Sequence, residues 1–413
     1  MAPSIRVASS ARQGIRVPKD LTYILLLFAL FIVPRVLQRF RLPSAITSFL
    51  LGGAASASGV LTQDPTLSLL ATFGIVAMFL TAGLEVNGPD LREGAAVIAQ
   101  HVGVRLVVIL GVGALVAVSL QFSYRIGALI ALALFTPSTG FILDSLDALG
   151  LQPRERFWIK SKAIATELLA LGVLFVALQS TSRERLGVAT GALLALVLVL
   201  PLLFRFFAGL IAPYAPKSEF AFLLMLAVVS AYITRALGVY YLVGAFMVGI
   251  AAQAFRTRLP AMSSERTLHA VEAFASVFAP FYFFNAGMHL HAEDFTPQAI
   301  WFGLGAVVLC VPARIAMVVV HRRYALGESL TSGMPIAIAL APTLVFSLVI
   351  AEILRDQFAV PDFIFGALIV YTVVNTILPG FLLGRAVPEL DVLNEVGTPV
   401  ESHAYTHADT QSS

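Results

Sequence analysis

Lys162-Ala-Ile-Ala-Thr166-Glu167-Leu-Leu-Ala-Leu-Gly-Val-Leu-Phe-Val-Ala-Leu178 sets one carboxylate in the middle of an otherwise apolar helix. In a bilayer, an ionisable side chain at that depth costs about 2.5 kcal/mol or more unless it is paired or faces water, so it marks an ion or proton site by default. The surrounding chain supplies the bilayer. With 58% hydrophobic residues, 12% charged residues and a mean hydropathy of +0.89, it is far more apolar than a soluble domain, in which about a quarter of the residues are charged. The fold class that follows is an all-α polytopic membrane protein whose partner is the lipid bilayer.

Segments of about 20 apolar residues, enough to cross roughly 30 Å of hydrocarbon, are bounded by charges, Pro or Gly at thirteen places: 20–38, 43–61, 66–86, 95–121, 124–149, 156–180, 186–210, 218–235, 238–255, 268–290, 297–321, 328–354 and 361–384. The domain plan is an amino-terminal tail at 1–20, one membrane domain over 21–385 and a polar carboxyl-terminal tail at 386–413, read as disordered. The tail pair His403 and His407 is read as chance and not as a metal site. Residues 1–20 hold Arg6, Arg12, Arg16 and Lys19 without an apolar stretch, and Leu21 to Leu37 has no small-residue cleavage site, so no cleaved signal peptide is expected. Cys310 stands alone in an apolar segment, which excludes an intrachain disulfide or a cysteine metal site.

The net charge of +3 does not point to nucleic acid, because the basic residues sit at span ends instead of forming a run or a face. They orient the chain. With the amino terminus outside, sixteen Lys and Arg fall on the inner side, among them Arg35, Arg92, Lys160, Lys217 and Arg322, against five on the outer loops and four in the amino-terminal tail. The positive-inside rule therefore predicts an outer amino terminus and a cytoplasmic carboxyl terminus, with a cell inner membrane as the natural residence.

Two spans are interrupted. Thr136-Pro137-Ser138-Thr139-Gly140 puts a helix breaker, three hydroxyls and a glycine at the middle of 124–149, and Ala341-Pro342-Thr343 breaks 328–354. Proline removes a backbone donor and clashes with the preceding turn, and in lipid such a break persists only where it is buried or lines a cavity. Two simple proline kinks would read the same way singly. As a pair in the two halves they predict a secondary transporter of two inverted repeats, with its site near the midplane where broken helices cross.

The deep ionisable residues are Arg105, Glu167, Glu272 and Arg314. Arg314 stays charged and needs a carboxylate or carbonyl partner, for which Glu167 is the natural candidate. Burial disfavours a charged carboxylate and a neighbouring guanidinium favours it, and a balance between them leaves a place where proton and cation compete. Glu167, Thr166 and the hydroxyls of Thr136, Ser138 and Thr139 would supply the oxygens a hard monovalent cation wants. Arg105 and Glu272 are read as span-end residues that snorkel or join structural pairs.

These residues together resemble the monovalent cation:proton antiporter superfamily. Arg41-Leu42-Pro43-Ser44 leading to Leu51-Gly52-Gly53 is similar to its first helices, Phe79-Leu80-Thr81-Ala82-Gly83-Leu84-Glu85 to its Phe-Leu-Ala-Gly-Leu-Glu signature, and Phe283-Phe284-Asn285-Ala286-Gly287-Met288 to its Phe-Phe-x-x-x-Gly-Met. The resemblance implies about 13 transmembrane helices in a core domain plus a dimerisation domain, and a homodimer made through the first helices. It implies Glu167 as the ion-carrying acid, with Thr166 where members carry Asp or Asn, and Arg314 as the compensating basic residue. A Pro-Arg-Gly-Glu box of many members falls on Pro342-Thr343-Leu344-Val345, so its Arg and Glu are missing. One carboxylate opposite an arginine fits the electroneutral members, one Na⁺ or K⁺ for one proton.

The function so read is secondary active antiport by alternating access, without a cofactor. A second reading keeps the fold and exchanges the substrate for a small anion or organic solute held near Arg314 and the half-helix amino termini. A third, a regulated channel-like component, has no positive feature in the sequence. An enzyme is excluded because no nucleophile and base pair, metal cluster or phosphate loop is present.

Overall fold

A computed structural model describes residues 19–59, 61, 63–86, 88–139, 142, 153–215, 217–237, 240–255 and 264–383. Residues 140–149 of the segment 124–149 other than Ile142, Gly140 and Asp144 among them, and the ends of the chain at 1–18 and 384–413 lie outside them.

The helices in chain order are α1 (Lys19–Gln38), α2 (Ser44–Ser58), α3 (Pro65–Leu84), α4 (Gly88–Glu93), α5 (Ala95–Leu120), α6 (Tyr124–Phe135), α7 (Pro153–Gln179), α8 (Arg183–Phe206), α9 (Glu219–Ala236), α10 (Tyr241–Ala254), α11 (Glu265–Met288), α12 (Pro297–Leu326), α13 (Leu330–Ala339), α14 (Leu344–Phe358) and α15 (Asp362–Leu382). Several begin where a polar side chain can satisfy the free N–H groups of a first turn. The Asp64 carboxylate accepts from Thr66 N at 2.7 Å ahead of Pro65, and Ser182, Ser264, Thr296 and Ser329 cap α8, α11, α12 and α13 in the same way. Each of the thirteen segments expected from the sequence carries a helix. Among the described residues nine helices are long and apolar enough to cross a membrane, and a tenth span is counted if α13 and α14, bent by 50° at their break, are taken as one. The helices α2, α6 and α10 are shorter.

Packing sorts the spans into two groups. One joins α1, α2 and α3 to α9, α10 and α11, and the other joins α5, α6 and α7 to α12, α13, α14 and α15, while α8 runs between them and touches α7 and α10. Each group takes half its spans from each half of the chain. Small residues allow the close crossings, as lipid-embedded helices require. A Cβ at Gly287 would stand 2.9 Å from Gly53 N, where α11 crosses α2, and one at Gly249 would stand 2.6 Å from Leu84 N, where α10 crosses α3. The family-like motifs around Gly83 and Gly287 are therefore packing sites of the first group.

The contacts also respect the alternation of span directions. Lys160 reaches Glu85, and Lys162 reaches His321, at the end read as inner. Arg125 donates to the Ala177 and Leu178 carbonyls, and Arg355 to that of His289, at the end read as outer.

Candidate functional site

Within the second group the two broken spans meet backbone to backbone. Helix α6 stops at Phe135 because Pro137 cannot continue its ladder, and Thr136 turns extended. Ser138 N then donates to Pro342 O across the crossing at 2.8 Å, and a new turn starts with Ile142 N bonding to Ser138 O. On the other strand of the crossing, α13 ends at Ala339 and α14 starts after Thr343.

Two helix carboxyl ends thus point into a buried crossing, each with orphan carbonyls and about half a negative charge. Side chains answer them. Arg314 donates through Nη1 to Ala341 O at 2.5 Å and through Nη2 to Leu340 O at 3.1 Å, and Asn375 Nδ2 adds a bond to Ala341 O at 2.8 Å. At the other carboxyl end, Arg105 Nη1 donates to Phe135 O at 3.0 Å, the Tyr371 hydroxyl to Leu134 O at 2.6 Å and the Ser347 hydroxyl to Ala133 O at 2.6 Å. Ser347 Oγ lies 2.7 Å from Thr343 Oγ1. A hydroxyl carries one proton and Ala133 O only accepts, so Thr343 donates to Ser347. Asn375 in turn donates to Thr343 Oγ1 at 3.1 Å, and Arg314 Nη1 to Tyr371 at 3.2 Å. One network holds both breaks open.

Glu167 on α7 lies against this crossing, 4% exposed. Among the described residues its Oε2 has no hydrogen-bond partner, and neither do the buried hydroxyls of Thr136, Ser138 and Thr139. The Thr139 hydroxyl is close enough to act on the carboxylate without forming a bond of good geometry. Buried polar atoms are nearly always paired, and an unpaired one costs about 1–3 kcal/mol, so four together at a helix break mark a place for something else. Carboxylate and hydroxyl oxygens are donors for a hard cation or a proton.

The description "sodium/hydrogen exchanger, transmembrane" fits residues 25–388 of this chain. The chain belongs to that family. Methanocaldococcus jannaschii has a relative described as a probable Na(+)/H(+) antiporter 3, 24% identical over 273 residues, a match that takes in 57% of this chain. This exchanger-family chain spans 63% of that relative's length. Among solved structures, it is similar to the sodium proton antiporter MjNhaP1 of the same organism at pH 8, with a TM-score of 0.61 at 14% identity, covering 92% of this chain and 95% of that one. An electron-microscopy structure of MjNhaP1 aligns with a TM-score of 0.63 at 15% identity over 88% of this chain and 94% of the other. These likenesses carry the fold: an integral, multi-pass, all-helical membrane protein of a transporter family.

Three expectations change against the geometry of this family member. The pairing of Arg314 with Glu167 is not formed among the described residues, because Arg314 takes the carbonyl alternative and Tyr371. Arg105 is no span-end residue. It is 1% exposed and bonded at the crossing, in the role that Arg314 has at the other break. Thr166 is buried but turned to α5: it accepts from His101 Nε2 at 3.2 Å, while its own proton goes to Lys162 O at 2.8 Å. Glu272 does join a structural pair, with His269 at 3.1 Å. Pro342 and Thr343 lie at the second break as expected, and Gly140 is outside the described residues.

Arg105, Tyr371, Asn375 and Ser347 were missed as site residues. A signal existed for the arginine: Pro137 follows Arg105 by 32 residues, and Pro342 follows Arg314 by 28. Comparing the two halves at that offset pairs the two arginines. Tyr371, Asn375 and Ser347 look in sequence like ordinary polar members of apolar helices, and only the crossing gives them acceptors.

Proposed function

We propose that this protein is an electroneutral monovalent cation:proton antiporter, exchanging one Na⁺ or K⁺ for one proton by alternating access, with Glu167 as the shared carrier. The observation that supports this best is the buried Glu167 carboxylate, whose Oε2 has no partner among the described residues, beside three hydroxyls in the same condition. The names of its relatives, a sodium proton antiporter and a probable Na(+)/H(+) antiporter, agree with the reading. In the cation-loaded state, Glu167 with Thr139, Ser138 and Thr136 ligates the ion; in the proton-loaded state, the carboxyl is neutral and needs none. A single carboxylate holds one or the other, which couples the fluxes. Arg314 and Arg105 keep the helix carboxyl ends neutralised in both states, so neither needs to leave its carbonyls during transport. The two helix groups supply the alternating motion, with α1–α3 and α9–α11 as the scaffold of an expected homodimer in a cell inner membrane, amino terminus outside.

An anion held by Arg314 would require a guanidinium free to turn to it. Both Nη atoms are engaged by carbonyls and Tyr371, and only the Nε–H is without a partner among the described residues, so the fork an anion would need is taken, which favours the cation. The test is exchange in proteoliposomes with an internal pH dye, an imposed pH gradient and additions of Na⁺, Li⁺, K⁺ or choline, with and without a clamped potential. Cation-dependent dequenching that ignores the potential and is lost in Glu167→Gln is the expected result. A folded Glu167→Gln protein that exchanges at the wild-type rate refutes the assignment.

A further inference from the structure

A salt bridge ties the two helix groups together on the side of α7 that carries Glu167. Lys160 Nζ lies 2.8 Å from Glu85 Oε2, with Lys160 on α7 and Glu85 closing the carboxyl end of α3. Seven residues separate Lys160 from Glu167, which on a helix of 3.6 residues per turn puts them on one face, about 10 Å apart along the axis. Lys162 and Thr166 occupy the other side of α7, where they meet His321 and His101. The face that carries Glu167 is therefore the face that α3 approaches, and the Glu85 and Glu167 carboxylates are within electrostatic range of each other. Helix α11 adds Glu272, whose charge is felt by Glu85 and Lys160 and which His269 bonds at 3.1 Å. Glu85 and Lys160 are partly open, with side chains 16% and 38% exposed. Below them, the Glu167 oxygen is buried and unpartnered.

We infer that Lys160 is a built-in competitor for the transported cation: its ammonium occupies the Glu85 carboxylate, and an arriving monovalent cation displaces it there on the way to Glu167. The inference rests on the antiport reading. It assigns Lys160 a positioning role. The ammonium is a cation of fixed address, so the entrance is neutral when no ion is present and the acids do not repel across the gap between the groups. Its departure also releases the tie between α3 and α7 that relative movement of the groups has to break. A site occupied part of the time by an internal competitor shows an apparent affinity lowered by the occupied fraction. Removing the competitor therefore tightens apparent binding without touching Glu167.

The measurement is cation-driven exchange by the full chain in proteoliposomes, titrated with Na⁺ and with K⁺, for wild type, Lys160→Met, Lys160→Arg and Glu85→Gln. Thermal stabilisation of each purified protein by the same ions serves as a binding readout independent of transport. Lys160→Met is expected to lower the half-saturating cation concentration about twofold to fivefold, as befits a partly exposed pair, with the maximal rate within about twofold. Lys160→Arg keeps the wild-type value, and Glu85→Gln raises it. Wild-type exchange combined with an unchanged half-saturation in Lys160→Met, or a fall in maximal rate alone, overturns the role of Lys160 and leaves the antiport reading standing. A wild-type protein that exchanges no monovalent cation overturns both.

Discussion

Replacing Arg105 by Met removes the guanidinium from Phe135 O while keeping most of the buried volume of the side chain. The carbonyl at the carboxyl end of α6 then loses its guanidinium donor in a buried crossing. A hydrogen bond from a charged group contributes about 1.5–3 kcal/mol, and a cation at a helix carboxyl end about 0.3–1 kcal/mol more. Two effects oppose the loss. The buried guanidinium is no longer desolvated, and its repulsion with Arg314, which lies in electrostatic range, is relieved. The net cost is about 2 kcal/mol, which corresponds to roughly a thirtyfold shift away from the open-break geometry. The exchange rate per molecule in proteoliposomes should fall by about that factor, with the half-saturating cation concentration little changed because Glu167 and its hydroxyls are untouched. Arg105→Lys, which keeps the charge but not the fork, should recover part of the rate. Arg105→Met at more than a third of the wild-type rate, in a protein of normal thermal stability, would show that the α6 carboxyl end needs no cationic cap.

Tyr371→Phe deletes the donor to Leu134 O and should cost about 1–3 kcal/mol, visible as earlier thermal unfolding in detergent; an unshifted transition contradicts the network as drawn. Gly287→Ala forces a Cβ to 2.9 Å from Gly53 N, so the variant should lose monodispersity in size-exclusion chromatography, and normal elution and stability would count against that close crossing. Thr166→Val removes the hydroxyl that His101 and Lys162 O share. Because that hydroxyl is directed to α5, exchange should stay within about threefold of wild type, and a loss as complete as that of Glu167→Gln would make Thr166 a cation ligand after all.

What the sequence made legible follows from how lipid acts on a chain. Water is absent from the bilayer core, so spans must be long, apolar and helical, and hydropathy alone locates a helix in each of thirteen segments. The two proline breaks were legible for the same reason, because nothing but a buried crossing tolerates them. Glu167 stood out as a carboxylate in an apolar run. Partner identity was not legible, since a buried guanidinium is satisfied equally by a carboxylate or by two carbonyls. Depth favoured the acid, whereas the crossing supplied the carbonyls of Leu340 and Ala341. Arg105 was misplaced because its distance from the span end was judged on its own helix, without the break in α6 that gives it an acceptor.

The two halves of the crossing also show why the chemistry falls on one side. Counting thirty residues beyond each breaking proline reaches Glu167 in the first half and Thr372, beside Tyr371, in the second. Both positions lie on helices packed against the crossing, and both breaks have an arginine at a carboxyl end. In the second half no acid stands at that position: Tyr371 caps Leu134 O of the first break, and Thr372 donates to Leu368 O one turn back at 2.6 Å. In the first half the corresponding carboxylate keeps an Oε2 without a partner among the described residues, and the hydroxyls of its break are likewise unpaired there. A scaffold with matched caps at both breaks can hold its shape whatever occupies the centre. The mismatch, an acid on one side only, leaves a single carboxylate at the crossing, and on the antiport reading proposed above a single carboxylate would limit exchange to one cation against one proton.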